Sequence, residues 1–310
     1  MDNKSFKTIL QSNKWMLWLL IVLTTVLWGY AWVHMKASLE FMGPFTFTAF
    51  RFSVGALTLL IVNTLMKLGI PKKQYWRHLF VVGLLQTAAV FLLVMYGLKF
   101  VEAGKSSVLL YSMPLWSSLL AVKYLGEKLS SKQLIGLFIG MFGLLTILGW
   151  DIWFEQSKAA LFGELLIIIA AFVWAVANIY YRLHLAPLPK VQASAYQMTF
   201  GAIGIVIAAL FMEWGNPIHL NTTSIYYILF TGVVASALCF TIWYVILSTI
   251  NMATATIATL LVPVFGLLFS RLILQEQLTI GVMIGASFII IGIIIAQKVK
   301  QNKVKGDEQK

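Results

Sequence analysis

Apolar runs of about twenty residues recur along the whole chain, parted by short polar clusters. Each run is long enough to cross a hydrocarbon core of about 30 Å as an α-helix. The polar breaks predict ten spans: Trp15–Val33, Phe45–Met66, Leu79–Leu98, Ser106–Val122, Leu134–Trp150, Leu161–Tyr181, Val191–Met212, Ile225–Leu247, Met252–Ser270 and Leu278–Gln297. A polar stretch, Asp151–Lys158, separates the fifth span from the sixth, and a basic tail, Lys298–Lys310, closes the chain. The connection between spans eight and nine carries no charge. The period-two alternation of barrel strands is absent. The expected fold class is therefore an all-α integral membrane protein of ten transmembrane helices.

The chain also resembles itself. At a shift of 149 residues Pro114 meets Pro263, Leu98 meets Leu247, Glu127 meets Glu276, Leu129 meets Leu278, Gly136 meets Gly285 and Gly143 meets Gly292. Earlier in each half the shift is 146, and Trp28 meets Trp174, Ala31 meets Ala177, Ala49 meets Ala195, Gly55 meets Gly201 and Ala56 meets Ala202. A single loop-length difference accounts for the change. The expected organisation is a segment 1–14, a five-helix repeat 15–150, an external linker 151–160, a second five-helix repeat 161–297 and a tail 298–310. Five is odd, so the second repeat enters the membrane from the opposite side. Such inverted repeats are a transporter architecture, with the solute site between the halves.

Composition agrees: 60% of the 310 residues are hydrophobic and 11% charged, with a mean hydropathy of +0.87. A soluble domain of this length carries far more charge. With the N-terminus inside, cytoplasmic segments hold 17 lysines and arginines and external ones 5, which places both termini in the cytoplasm of a cell-membrane protein. The net charge of +12 lies in loops and tails, so nucleic acid is not an expected partner. The expected partners are the lipid bilayer, a small-molecule substrate and a second copy of the chain in a homodimer. The single cysteine, Cys239, and the scattered His34, His78, His184 and His219 offer no metal site, and no cofactor is implied. Phosphate-binding glycine loops and hydrolase motifs are missing as well.

Chemistry inside the spans is sparse. Arg51 is the clear intramembrane charge, about a third of the way into span two, and its repeat mate is Gln197. It fits a bidentate hold on an anionic group of a solute, or else snorkelling or a structural bond to backbone carbonyls or loop groups. No Asp or Glu is expected deep in a span. Glu127 and Glu276 lie in matching turns, as caps or as gating groups, and Ser130 with Gln133 forms a capping-box pattern. Pro114 and Pro263 fall mid-span and are expected to bend their helices. Polar and aromatic stripes run through Thr24, Trp28 and Trp32; Ser107, Tyr111 and Pro114; Trp174, Asn178 and Tyr181; Ser236, Trp243 and Tyr244; and Thr256, Thr259 and Pro263. They serve helix packing or line a cavity of uncharged hydrogen-bonding groups. Gly136 and Gly140, with Gly281 and Gly285, give spans five and ten smooth faces for close contact.

Leu27-Trp28-Gly29, Arg51-Phe52, and the run from Tyr96-Gly97-Leu98 through Ala103, Ser106 and Pro114 to Gly126-Glu127-Lys128-Leu129 form an ordered set. A second copy passes through Phe172-Val173-Trp174-Ala175, Leu247, Ala253, Pro263, Glu276 and Leu278, with Gln275 standing where the first copy has Gly126. The set resembles the EamA-type permeases of the drug/metabolite transporter superfamily over nearly the whole chain. The resemblance implies ten helices, both termini cytoplasmic, export of amino acids or other small metabolites, and a cavity lined by spans one, three, four, six, eight and nine. Trp28, Arg51, Ser107, Tyr111, Trp174, Asn178, Trp243, Tyr244 and Thr256 are the candidate cavity residues. Multidrug efflux is the alternative; a membrane enzyme would need clustered ionisable groups, and a scaffold would need no cavity.

Overall fold

The computed structural model describes residues 14–153, 157–250 and 261–297, together with Met252, Ala255 and Thr259. Thr256 of the expected cavity, residues 1–13 and the tail Lys298–Lys310 lie outside the described residues. Among the described residues there is no strand. The principal helices are α1 (Lys14–Ala37), α2 (Pro44–Leu65), α3 (Lys73–Gly97), α4 (Ala103–Leu125), α5 (Ser131–Trp153), α6 (Lys158–His184), α7 (Lys190–Met212), α8 (Thr222–Thr249), α9 (Leu261–Ile273) and α10 (Ile280–Gln297). Seven of them, α1–α4 and α6–α8, are long and apolar enough to cross a membrane; the apolar stretches in α5, α9 and α10 are shorter. Leu57, Phe138 and Phe211 point outward from the bundle, as residues facing hydrocarbon chains do.

Local chemistry sets the helix ends. Pro44 opens α2, where its missing N–H costs nothing. Ser130 and Gln133 form the expected capping box at α5, the Ser130 amide donating to Gln133 Oε1 at 2.9 Å and the Gln133 amide to Ser130 Oγ at 3.2 Å. Gly126 ends α4 in the left-handed region at φ 65°, and Gln275 repeats that turn at φ 56° after α9. The turn survives the loss of glycine, although a side chain there costs about 1–2 kcal/mol.

Pro114 breaks α4 rather than bending it. The helix stops at Leu110 and restarts at Met113, with Pro114 in the first turn of the second piece. Pro263 likewise lies in the first turn of α9, after the Thr259 turn, whose carbonyl accepts from the Val262 amide at 2.9 Å. A second pair of irregularities carries no mark in the hydrophobic pattern. Gly83–Ala89 in α3 and Phe230–Leu238 in α8 are π-helical, and at the shift of 149 the first maps onto 232–238, inside the second.

Repeat mates pack against each other in antiparallel fashion. Glu213, just past α7, accepts the Phe45 and Thr46 amides at the start of α2 at 3.0 and 2.8 Å. Gln192, at the start of α7, donates to the carbonyls of Leu68 and Gly69 beyond the end of α2. In the α5–α10 pair, a Cβ on Gly143 would lie 2.5 Å from the Gly285 carbonyl oxygen, and one on Gly292 would lie 2.5 Å from that of Gly136. The approach is backbone on backbone, which glycine alone permits. Gly140 exposes its backbone to Gly292, while its own Cβ position faces open space. The other contacts are reciprocal: α1 touches α9 as α6 touches α4, α1 touches α8 as α6 touches α3, and α2 touches α8 as α7 touches α3.

Two carboxylates extend this reciprocity. Glu276 accepts the Ala103 and Gly104 amides at 2.8 and 3.0 Å, capping α4. Glu127 accepts the Met252 amide at 3.0 Å and pairs with Arg182 at 3.0 Å. Met252 is the repeat mate of Ala103. Each glutamate thus accepts backbone amides of the opposite half instead of those of its own turn, Glu276 at the start of α4 and Glu127 at Met252.

Lys105, counted among the external cations, departs from the expected placement, while Glu164 lies near the opening of the sixth span as its position predicts. Glu164 lies inside α6 and Lys105 inside the first piece of α4; both are buried and they form an ion pair. Lys105 is therefore not a loop residue, and Glu164 near the start of α6 is its partner.

Candidate functional site

The reciprocal contacts converge on a cluster of rings. Trp28 of α1 and Trp174 of α6 meet edge to face with centroids 5.9 Å apart, and Phe91 of α3 and Phe240 of α8 are 6.0 Å apart. Trp28 also lies 5.9 Å from Phe240, and Trp174 lies 6.2 Å from Phe91. Each of these rings sits opposite its own repeat mate, for Phe91 meets Phe240 at the shift of 149. Four helices from two halves thus present paired rings to one centre. Tilted and edge-to-face pairs of this kind add about 0.5–1.5 kcal/mol each beyond the area they bury.

Around this symmetric set stand residues without symmetric counterparts. Trp243 lies 6.0 Å from Trp28 and donates its indole N–H to Asn178 Oδ1 at 3.1 Å. Asn178 Nδ2 donates to Met113 Sδ at 3.3 Å, beside the α4 break. Tyr111, at that break, lies 6.4 Å from Trp174. Trp28 donates its indole N–H to the Ala235 carbonyl at 2.9 Å, inside the π-helical segment of α8. The Trp174 indole N–H is buried and has no hydrogen-bond partner among the described residues.

Arg51 is 2% exposed. Its Nε donates to Ser236 Oγ at 2.9 Å, and Nη1 lies 2.9 Å from Met35 Sδ. Its guanidinium carbon sits 4.8 Å from the Phe52 ring centre and 4.6 Å from that of Phe91. Among the described residues no carboxylate pairs with it. Desolvating a charge costs several kcal/mol, and two ring faces, worth about 2 kcal/mol each when desolvated, recover part of that. The result is a buried cation beside an aromatic centre, joined to it through Phe91.

The structure brings Trp28, Tyr111, Trp174, Asn178 and Trp243 together, with Arg51 at their edge. It does not bring Ser107 or Tyr244 with them. Ser107 Oγ donates to its own helix at the Gly104 carbonyl, and the side chain packs at Gly266 of α9. Tyr244 turns away: its ring stacks on Tyr181 at 3.9 Å and its hydroxyl donates to Gln86 Oε1 at 2.8 Å. Pro114, Tyr111, Gly136, Gly140 and Gly292 share a narrow crevice between α4 and the α5–α10 pair, so the break and the glycine seam adjoin. Gly281, in the first turn of α10, is buried. Sequence reasoning passed over Phe91 and Phe240 because a phenylalanine in an apolar run is unremarked. The signal was their identity at the repeat shift.

A sequence profile decides the family. The profile described as the EamA-like transporter family matches residues 14–149 and again 161–297. The chain belongs to the EamA-like transporter family. It is a membrane transporter of the drug/metabolite type. Among its relatives, the uncharacterized transporter YoaV of Bacillus subtilis is 31% identical over 277 residues, covering 89% of this chain and 94% of that one. The probable amino-acid metabolite efflux pump of Escherichia coli is 26% identical over 284 residues, covering 89% and 93%. A solved crystal structure superposes with a TM-score of 0.74 at 16% identity, over 94% of this chain and 99% of that one, a likeness of fold. For an EamA-like transporter, a ring cluster contributed by both halves lies where the family's two matching segments face each other.

Proposed function

We propose that this transporter exports a small polar or amphipathic metabolite of the amino-acid kind by alternating access. Residues 15–150 and 161–297 act as two inverted five-helix repeats making ten spans, joined by an external linker, with both termini cytoplasmic. The antiparallel packing of repeat mates and the reciprocal contacts support the inversion. The excess of lysine and arginine on one side supports the orientation.

The observation that carries the reading is the centre itself. Paired rings from α1, α3, α6 and α8 meet there. An unmatched charge and a free donor accompany them, the Arg51 guanidinium with no carboxylate partner among the described residues and the indole N–H of Trp174. A solute bearing a carboxylate and an apolar body supplies what this centre lacks: charge for Arg51, an acceptor for Trp174 and surface for the rings. Rocking of one repeat against the other would expose the centre to each side in turn. Trp28, Tyr111, Trp174, Asn178 and Trp243 would contact the solute. The breaks before Pro114 and Pro263, and the two π-helical segments, give the helices around the centre places to yield.

Flux in proteoliposomes with a labelled panel of amino acids and their derivatives tests the reading. The expected result is movement of a carboxylate-bearing member that Trp174→Ala abolishes. Flux of lipophilic drugs with none of the panel members would instead favour multidrug efflux. No flux of any compound by correctly folded protein would overturn transport through this centre.

A further inference from the structure

A second aromatic enclosure lies away from the central cluster, where α1 ends and α8 begins. Tyr30, His34, Thr222, Thr223, Tyr226, Tyr227 and Ile273 line an open pocket of about 360 Å³ there. His34 forms its back wall. The imidazole stacks on Tyr227 at 4.9 Å and meets Tyr30, Phe230 and Tyr226 edge to face at 4.2, 5.0 and 5.3 Å. His34 is 3% exposed, and among the described residues neither ring nitrogen has a hydrogen-bond partner. It lies six residues beyond Trp28, about 9 Å further along α1.

The wall is rich in π-faces and in oxygen and nitrogen acceptors. Among the described residues no lysine or arginine lines it. Lys36, the nearest cation on α1, is turned away, its ammonium donating to the carbonyls of Leu98 and Val101. Glu40 is exposed just beyond α1, next to Phe41, whose ring lies 6.1 Å from that of Tyr227. Ring faces gathered around a space attract a cation through their quadrupoles. A neutral imidazole adds an acceptor nitrogen, and a buried polar atom without a partner favours any ligand that supplies one.

We infer that this pocket is a separate binding site for an organic ammonium compound, its cationic head held by the faces of Tyr30, Tyr226 and Tyr227 and a hydroxyl or N–H elsewhere on it donating to His34 at the base. Choline and its neutral isostere 3,3-dimethylbutan-1-ol have nearly the same shape and differ in charge, so they isolate the cation–ring interaction. Binding of each to the full-length transporter in nanodiscs should be measured by calorimetry. Choline is expected to bind at least about ten-fold more tightly than the isostere, the ratio that a cation–ring contact of about 1.4 kcal/mol gives. Tyr227→Ala should remove that preference, and Tyr226→Phe, which keeps the ring and removes only the hydroxyl that hydrogen-bonds Tyr30, should preserve it. Trp174→Ala, in the central cluster, should leave choline binding unchanged. That arm separates this site from the transport centre, so one can fail without the other. Equal binding of choline and the isostere would overturn the proposal. So would a preference that survives Tyr227→Ala while Tyr226→Phe and wild type bind alike, or one lost on Trp174→Ala in protein with an unchanged melting profile.

Discussion

The junction of α2 with α8 and the junction of α7 with α3 are the same joint built twice, with one difference. In the first, Arg51 donates to Ser236 at 2.9 Å; in the second, Thr87 donates to Gln197 at 2.9 Å. Arg51 and Gln197 are repeat mates, and so are Ser236 and Thr87. Both joints are closed by glycine pairs, Gly55 against the Gly232 carbonyl and Gly201 against the Gly83 carbonyl. A neutral amide therefore suffices to hold this geometry. The charge of Arg51 exceeds what the joint requires, and its position over Phe91 carries that excess to the central rings. The comparison weighs against a purely structural arginine.

The sharpest way to break this comparison is to make the joints alike. Arg51→Gln should cut the flux of a carboxylate-bearing solute about ten- to hundred-fold, the worth of a charged hydrogen bond of about 1.5–3 kcal/mol. The melting temperature in detergent should stay within a few degrees of wild type. Unchanged flux would reduce Arg51 to a pin. Next come the glycines. A Cβ at residue 201 would lie 2.3 Å from Thr87 Cβ, whereas at residue 55 its nearest neighbours are 2.9 Å away. Gly201→Ala should destabilise by about 1–3 kcal/mol, measured by thermal melting, and Gly55→Ala by less.

The carboxylate caps offer a third pair. Glu276 takes two amides of α4, while Glu127 also holds Arg182. Glu276→Ala should cost about 0.5–2 kcal/mol of melting stability, and Glu127→Ala more, because Arg182 loses its partner. The smallest effect belongs to Thr87→Val, about 1 kcal/mol in stability with flux unaltered. Ser236→Ala, its counterpart, should be equally mild in stability yet lower the flux, since it releases Arg51. Equal flux for the two variants would blunt the distinction drawn between the joints.

The helices were legible because lipid imposes one demand, an apolar run of sufficient length, and that demand is written locally in sequence. The repeat was legible because mates such as Trp28 and Trp174 or Pro114 and Pro263 kept their identity. Trp28, Trp174, Asn178 and Trp243 could be picked out because indoles and amides are conspicuous among aliphatic residues. Other features were hidden for reasons of geometry. The π-helical segments depend on one extra residue per turn, which no composition marks. The Lys105–Glu164 pair joins α4 to α6, and neither residue carries a local sign that it is buried. Ser107 and Tyr244 share helix faces with cavity candidates by spacing, yet a face is wide enough to serve two neighbours, and packing chose the other one.

The crossed glutamate caps bear on how the chain is made. Ala103 and Gly104 leave the ribosome early, but the carboxylate that holds their amides stands 173 and 172 residues later. Until Glu276 is made, those two amides lack the carboxylate that caps them, so the start of α4 gains this cap only after most of the second half has been synthesised.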